Sequence, residues 1–187
     1  MNSVRLLPVG EVDIALLHDV RVKLRRCLPV TCEILDSVLD PVPTYHPERQ
    51  QYHSSEIIQR MQAVAAKLQK EDSRLLAITD VDLYIPILKY VFGEAQMGGP
   101  CAVVSYHRLR QEFYGLDRDD ALLSQRLLKE CVHELGHTFN LVHCQDYRCA
   151  MASSHAVEWI DLREARLCNS CQSQVESRTV VPSRSIF

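Results

Sequence analysis

The chain has 187 residues, which is enough for one globular domain with a sizeable core and too few for a second independent domain. Its composition, 47% hydrophobic and 24% charged, excludes wholesale disorder and a fibrous architecture. The formal net charge of -3 provides no basic face that would displace counterions from phosphates, so we expect no nucleic-acid partner.

The amino-terminal segment does not resemble a secretory signal, because it carries acidic residues within its first twenty positions and lacks a long apolar run. No apolar stretch of the sequence reaches the roughly 20 residues that span a bilayer. We therefore expect a cytoplasmic protein with no membrane partner. In that reducing compartment, the eight cysteines are expected to be metal ligands, catalytic groups or buried thiols rather than disulfide partners.

The first half of the chain alternates strand and helix patterns. Ser55, which follows a proline-broken polar loop, is a candidate helix cap. In chain order the predicted elements are a strand at 3–8, a helix at 12–28, a strand at 32–39, a helix at 56–70 and a strand at 75–81.

The second half continues this alternation, and Asp117 or Asp119 is expected to begin its longest helix. The predicted elements are a strand-like segment at 90–92, a strand at 101–106, a helix from about 120, a helix at about 155–167 and a loosely ordered tail after 171. Strands that alternate with helices predict an α/β (α+β) fold with a mixed, partly parallel sheet.

The long helix contains the sequence HELGH, which places His133 and His137 four residues apart. Residues at this spacing lie on one face of a helix, one turn apart, so both imidazoles can reach the same zinc ion. Glu134 is rotated by about 100° from His133, which keeps its carboxylate out of the ligand pair but near the open position of the metal. The pattern indicates a catalytic zinc with Glu134 as its general base. An accidental histidine cluster on a solvated helix face is the alternative.

A third ligand is available in His143, six residues beyond His137. A catalytic zinc takes three protein ligands and a water, but six residues are about 1.7 turns of a continuous helix, which would point His143 away. The helix must therefore end and the chain turn back after Phe139. Asn140 stands at this break, and asparagine is the residue other than glycine that most readily adopts the left-handed conformation such a turn requires.

Four cysteines in two closely spaced pairs follow the histidines and predict a second metal site. Four thiolates are the ligand set of a closed, tetrahedral structural zinc, whose binding would contribute folding energy. Such a site would connect the loop that carries His143 and Met151 to the C-terminal helix. The pairs are Cys144 with Cys149 and Cys168 with Cys171.

The segment HELGHTFNLVH resembles the metzincin motif H-E-x-x-H-x-x-G-x-x-H, with Asn140 in place of the glycine, and Met151 lies where the Met-turn of that family is expected. With the four cysteines and the upstream segments DVDLYIPILKYVFGEAQ and CAVVSYHRL, the chain resembles the archaemetzincin family of zinc peptidases over residues 75–171. The resemblance implies one metallopeptidase domain over 1–187. Its larger lobe, about 1–139, would carry a twisted mixed sheet and two large helices, and its small zinc-stabilised lobe would cover about 140–187.

These observations predict a zinc-dependent hydrolase that cleaves peptides or proteins and contains two zinc ions, one catalytic and one structural. The resemblance also implies that 93–97 forms an edge strand that binds the substrate backbone. The main alternative is a zinc-stabilised binding or interaction module with a vestigial or closed catalytic centre. A nucleic-acid zinc ribbon is disfavoured by the acidic net charge, and hydrolysis of a non-peptide amide stays open.

Several residues receive no assigned role from the sequence. Tyr147 lies in the cysteine loop, where it could approach the catalytic zinc or simply pack. The remaining cysteines fit apolar patterns or lack a partner pair, so we interpret them as buried or unpaired thiols; they are Cys27, Cys32, Cys101 and Cys131. Cleavage specificity and oligomeric state do not follow from the sequence.

Overall fold

A computed structural model describes residues 3–68 and 73–179 of the chain. The helices are α1 Ile14–Cys27, α2 Ser54–Lys67, α3 Asp120–Thr138, α4 Val157–Leu162 and α5 Asn169–Thr179. The strands are β1 Ser3–Val9, β2 Thr31–Ile34, β3 Tyr45–His46, β4 Gln51–His53, β5 Ser73–Thr79, β6 Leu83–Tyr84, β7 Gly93–Ala95 and β8 Cys101–Ser105. Three short 3₁₀ turns lie at Val42–Thr44, His107–Leu109 and Gln111–Tyr114.

The main sheet has five strands in the order β2-β1-β5-β8-β7. The first four strands run parallel to one another, and β7 pairs antiparallel with β8 at the edge. The predicted mixed, partly parallel sheet is therefore confirmed. A smaller sheet, β3-β4-β6, lies beside it.

The central strands are nearly continuous apolar runs because both faces of the sheet are covered by helices. Alternate residues of β1 enter two different cores, since successive side chains of a strand point to opposite faces. Val4 and Leu6 pack in the cluster that contains residues of α1 and α3, whereas Leu7 and Val9 pack in the cluster that contains residues of α2. The strands β5 and β8 divide their side chains in the same way. This packing fixes α3 across one face of the sheet, close to the edge strand β7.

Several predicted boundaries are wrong. The strand expected at 32–39 ends at Ile34, and α2 begins at Ser54 with His53 at its cap position rather than Ser55. The strand-like segment at 90–92 contributes only a single bridge from Val91 to Leu83, and the edge strand follows it at Gly93–Ala95. The side chains of Tyr90 and Phe92 instead pack edge to face, so their aromatic character reflects packing rather than strand pairing.

The C-terminal part also differs from expectation. The helix predicted at 155–167 is the short α4, Val157–Leu162, which ends because Arg163 adopts an extended conformation. The tail expected to be loosely ordered after Cys171 continues the helix α5 to Thr179. The remainder of that prediction, at 180–187, lies outside the described residues.

The four cysteines without an assigned role occupy core or near-core positions. Cys32, Cys101 and Cys131 are buried, Cys27 is half-buried, and all four are free thiols. Their interpretation as buried or unpaired thiols is confirmed. Within 3–68 and 73–179, no helix has the length and apolar character needed to cross a membrane. The division of the domain into two lobes near residue 139 and the cytoplasmic location stay predictions.

Candidate metal centres

The helix α3 presents the first two histidines. It begins after Asp119, whose side chain accepts a hydrogen bond of 2.8 Å from the backbone N–H of Leu122. The helix then crosses the sheet, and most side chains of its second half are buried. His133 and His137 lie one turn apart at its C-terminal end, and their Nε2 atoms approach to 3.1 Å. The predicted ligand pair is therefore brought together.

A tight turn at the end of α3 brings in the third histidine. Asn140 has a φ angle of +63°, so the predicted left-handed residue is confirmed at this position. The N–H of Asn140 donates to the carbonyl of His137 at 2.8 Å, and the N–H of Leu141 donates to the carbonyl of Gly136 at 3.0 Å. These two bonds form the Schellman motif, which reverses the chain after a helix. His143 consequently returns to the face that carries the other two histidines.

The three imidazoles form a compact set of nitrogen donors. One ring nitrogen from each histidine lies within 4.8 Å of the others. Tetrahedral zinc with bonds of 2.0–2.1 Å places two nitrogen ligands about 3.4 Å apart, so the 3.1 Å separation between the first two Nε2 atoms fits such an ion. His133 is buried, His137 half-buried and His143 exposed, so the centre opens toward solvent on one side.

Backbone carbonyls orient two of the rings. The Nδ1 of His133 lies 2.8 Å from the carbonyl oxygen of Ala150, and the Nδ1 of His137 lies 2.8 Å from that of Leu141. A carbonyl accepts only from an N–H, so both rings carry their proton on Nδ1 and direct a lone pair at Nε2 toward the shared centre. Burial lowers the pKa of all three histidines, and the nearby Arg163 cation lowers each pKa further. Neutral imidazoles are the form that binds zinc.

Glu134 lies in contact with the edge strand β7. A Cβ atom on Gly93 would come within 2.7 Å of the Cγ of Glu134 and 2.8 Å of its Oε1. Glycine at this position therefore lets the carboxylate lie directly beside the strand. Burial raises the pKa of Glu134 well above its usual range, and the neighbouring Glu130 raises it further.

A cleft of about 580 Å³ runs between β7 and the histidines. Both Gly93 and Ala95 of the edge strand line it, as do all three histidines and Glu134. At one end, the hydroxyl of Tyr90 donates a hydrogen bond of 2.9 Å to the carbonyl of His155, which joins the two walls. Apolar side chains on the walls include Ile85, Leu88, Phe92 and Met97.

The four predicted cysteines form a second cluster. Their sulfur atoms all lie within 4.8 Å of one another, and Cys144 Sγ lies 3.8 Å from Cys168 Sγ. Tetrahedral zinc with Zn–S bonds of 2.3 Å separates two sulfurs by about 3.8 Å, whereas a disulfide bond is about 2.0 Å long. Cys149 also accepts backbone N–H groups from Met151 at 3.5 Å and Cys168 at 3.3 Å. The donor set fits a closed metal site.

The sequence matches the model of Peptidase family M54 over residues 9–177. The chain belongs to this family. It is 35% identical to the archaemetzincin of Methanocaldococcus jannaschii over 92% of each chain, and 35% identical to that of Thermococcus kodakarensis over 94% of this chain and 96% of the relative. As a member of the family, it is a zinc metallopeptidase.

Solved structures resemble the fold of this M54 member closely. A zinc-dependent peptidase from Methanocorpusculum labreanum superposes with a TM-score of 0.85 at 28% identity, covering 92% of this chain and 99% of the other. The archaemetzincin of Methanopyrus kandleri superposes with a TM-score of 0.78 at 29% identity, covering 95% and 96%. The predicted metzincin-like architecture is therefore confirmed.

Two residues near the histidines in this M54 chain were not identified from the sequence. Arg163 and Glu130 form a buried ion pair beside His133. Glu130 lies one turn before Glu134 on α3, which is a local signal that it could lie near the centre. The sequence around Arg163 contains no signal that its side chain contacts Glu130. Tyr147 is 63% exposed and is not among the described residues that line the cleft.

Proposed function

We propose that this M54 peptidase hydrolyses peptide bonds in the cleft, with a zinc ion held by His133, His137 and His143 and with Glu134 as the general base. The observation that carries the proposal is the convergence of three neutral imidazoles, within 4.8 Å, at the floor of a cleft that Glu134 also lines. Three protein ligands leave the fourth position of a catalytic zinc for water or substrate.

We further propose two zinc ions per chain, the second held by Cys144, Cys149, Cys168 and Cys171. The nitrogen spacing of 3.1 Å and the sulfur spacing of 3.8 Å each agree with the distance between two ligands of one tetrahedral zinc. The second ion would be structural, because four thiolates complete its coordination and leave no position for substrate.

Zinc, when bound, supplies a Lewis acid that lowers the pKa of water toward about 7 and polarises a carbonyl group. The chain supplies the proton transfers. Burial raises the pKa of Glu134, which increases the affinity of its carboxylate for the proton of the attacking water. The same carboxyl group then donates that proton to the departing amine. Contact with Gly93 keeps Glu134 beside the strand along which substrate would lie.

The edge strand β7 provides the recognition of the substrate backbone. It is the last strand of the main sheet, and its residues line the cleft. A peptide that adds to such an edge as a further strand forms main-chain hydrogen bonds that do not depend on its side chains. The preference for substrate side chains then depends on the walls of the cleft, where the apolar residues Leu88 and Met97 are each about half exposed.

The substitution Glu134→Gln tests the proposed role of the base. It keeps the size of the side chain but removes the proton acceptor, so we expect two zinc ions to be retained and cleavage of a quenched peptide library to fall by about 10²–10⁴-fold. Zinc content by elemental analysis and initial rates give the two results. Cleavage at the wild-type rate with zinc retained would exclude Glu134 as the base. Bound zinc without any cleavage by the wild type would favour the binding module.

A further inference from the structure

Arg163 follows α4 and extends a fully buried guanidinium toward the histidines, with 1% of the side chain exposed. Its NH1 group donates hydrogen bonds to the carbonyls of Ala150 at 3.1 Å and Ala152 at 2.8 Å. These two carbonyls flank Met151, whose side chain packs against Gly136 of α3. One guanidinium nitrogen therefore fixes the short segment that passes beneath the histidine centre.

The carbonyl of Ala150 has a second donor. It also accepts from the Nδ1–H of His133 at 2.8 Å, and the NH1 of Arg163 lies 2.8 Å from that nitrogen. The two hydrogens of NH1 point to the carbonyls of Ala150 and Ala152, so NH1 does not donate to His133. Arg163 and His133 instead lie next to each other, and both donate to the carbonyl oxygen of Ala150. The orientation of the His133 ring thus depends on a carbonyl that Arg163 holds in place.

Charge balance explains the presence of Glu130. A cation beside three metal ligands opposes the binding of a second cation, and the charge of Arg163 acts on all three histidines. The NH2 group of Arg163 forms an ion pair with Glu130, whose side chain is 4% exposed. The buried carboxylate offsets the charge while the guanidinium keeps its hydrogen-bonding geometry.

We propose that Arg163 is a positioning residue for the histidine centre: with its charge balanced by Glu130, it holds the Ala150 and Ala152 carbonyls and thereby orients His133 to bind zinc. This inference rests on the proposed function. Removal of a group that orients a metal ligand typically weakens metal binding by about 10–100-fold. The same loss is expected here for Arg163→Met, and it should be confined to the histidine centre.

A matched control exists on α3, the helix that also carries Glu130. Arg126 is also buried, with 7% of its side chain exposed, and it pairs with Asp161 of α4 at 2.6 Å. Its NH1 donates to the carbonyl of Leu109 at 2.9 Å rather than to a carbonyl of the segment 150–152. Arg126→Met therefore removes a buried arginine and its ion pair with α4, although Asp161 is 35% exposed, and it removes none of the contacts that Arg163 makes with the segment 150–152. It should lower stability and leave zinc affinity at the histidines unchanged.

The experiment measures the zinc dissociation constant of the histidine centre by chelator competition in protein whose cysteine centre stays loaded. The Co²⁺ spectrum reports the two centres separately, because only the thiolate ligands give intense charge-transfer bands. We expect Arg163→Met to weaken the histidine centre about 10–100-fold, Arg163→Lys to weaken it less, and Arg126→Met to match the wild type.

Equal zinc affinity of Arg163→Met and wild type, or an equal loss in Arg163→Met and Arg126→Met, would overturn the inference. If Arg163→Met does not fold, Arg163→Lys decides, since lysine keeps the charge but replaces the planar fork, whose NH1 bonds the carbonyls and whose NH2 bonds Glu130, with a single nitrogen. Wild-type affinity in that variant would also contradict the proposal. Absence of zinc from the histidines of the wild type itself would instead refute the proposed function.

Discussion

The two candidate metal centres differ in the parts of the fold that carry them. The histidine centre takes two donors from the long buried helix α3 and a third from the turn that follows it, and it opens into a cleft. The cysteine centre takes its donors from the loop at 144–149 and from the beginning of α5. Rigid elements with an open coordination position suit catalysis, whereas four thiolates that join otherwise weakly connected segments suit a structural ion.

The segment at 149–152 connects the two centres. Cys149 belongs to the sulfur cluster, the Ala150 carbonyl accepts from His133, and Met151 packs beneath Gly136. The carbonyl of Met151 also accepts a hydrogen bond of 2.9 Å from the N–H of Cys144. One short segment therefore contacts both candidate centres, so if each binds zinc as proposed, a change at the cysteine centre should also affect the histidine centre.

The largest effect is expected for Cys149→Ser. The side chain is 2% exposed, and its loss leaves three thiolates for an ion whose binding is worth about 10–16 kcal/mol in small zinc domains. We expect loss of the cysteine zinc, a fall of more than about 3 kcal/mol in the free energy of unfolding and a parallel fall in cleavage. Chemical denaturation and elemental analysis measure these changes. Wild-type stability would contradict a structural role of the cysteine zinc, and loss of that zinc with cleavage unchanged would show that the two centres are independent.

The next effect concerns Gly136→Ala. A Cβ at this position would overlap the sulfur of Met151, so we expect overpacking to cost about 1–3 kcal/mol and to move the segment 149–152. The double variant Gly136→Ala/Met151→Ala removes the overlap and should recover zinc binding at the histidines relative to the single variant. Thermal melts and zinc affinity are the readouts. An additive loss in the double variant would show that this overlap is not the cause.

A smaller effect is expected at the turn after α3. Asn140 has a φ angle of +63°, a conformation that costs an ordinary L-residue about 1–2 kcal/mol. We therefore expect Asn140→Ala to lower the free energy of unfolding by about 1 kcal/mol and Asn140→Gly to lower it less. Denaturant titrations of the two variants give the ranking. Equal losses in the two variants would mean that the asparagine side chain, which both lack, stabilises the turn, and a smaller loss for Asn140→Ala than for Asn140→Gly would contradict the backbone explanation.

The smallest effect is a difference in alkylation rate between the four clustered cysteines and the other four. Burial raises the pKa of Cys32 and of Cys101 to about 11. A raised pKa lowers the thiolate fraction, so at pH 8 only about 0.1% of each group is ionised and alkylation should be very slow. After removal of metal, mass spectrometry should find Cys168 modified first, since hydrogen bonds lower its pKa. Early modification of Cys101 would contradict this.

The sequence predicts the donor sets well because each depends on short spacings. The one-turn separation of His133 and His137 and the break at Asn140 are local geometric consequences of the helix. The alternation of buried strands and helices predicts the mixed sheet for the same reason. The spacings along α3 need no information about distant parts of the chain, whereas the meeting of Cys149 with Cys168, 19 positions away, does.

Other features depend on contacts between distant segments. The position of β7 is determined by its pairing with β8 and by Gly93 facing Glu134, not by its own three residues. Tyr90 looks like part of a strand, but its hydroxyl bonds to His155, 65 residues away. The ion pair of Arg163 with Glu130 joins residues 33 positions apart. No local pattern predicts such a pair.

The most direct test of two separate centres is the zinc content per chain of the wild type beside the double variant His133→Ala/His137→Ala, each then assayed on a quenched peptide library. We expect two zinc ions in the wild type, one in the variant, loss of cleavage and an unchanged cysteine centre. One zinc ion per chain that the substitutions do not affect would mean that only the cysteine centre binds metal, which would contradict the account.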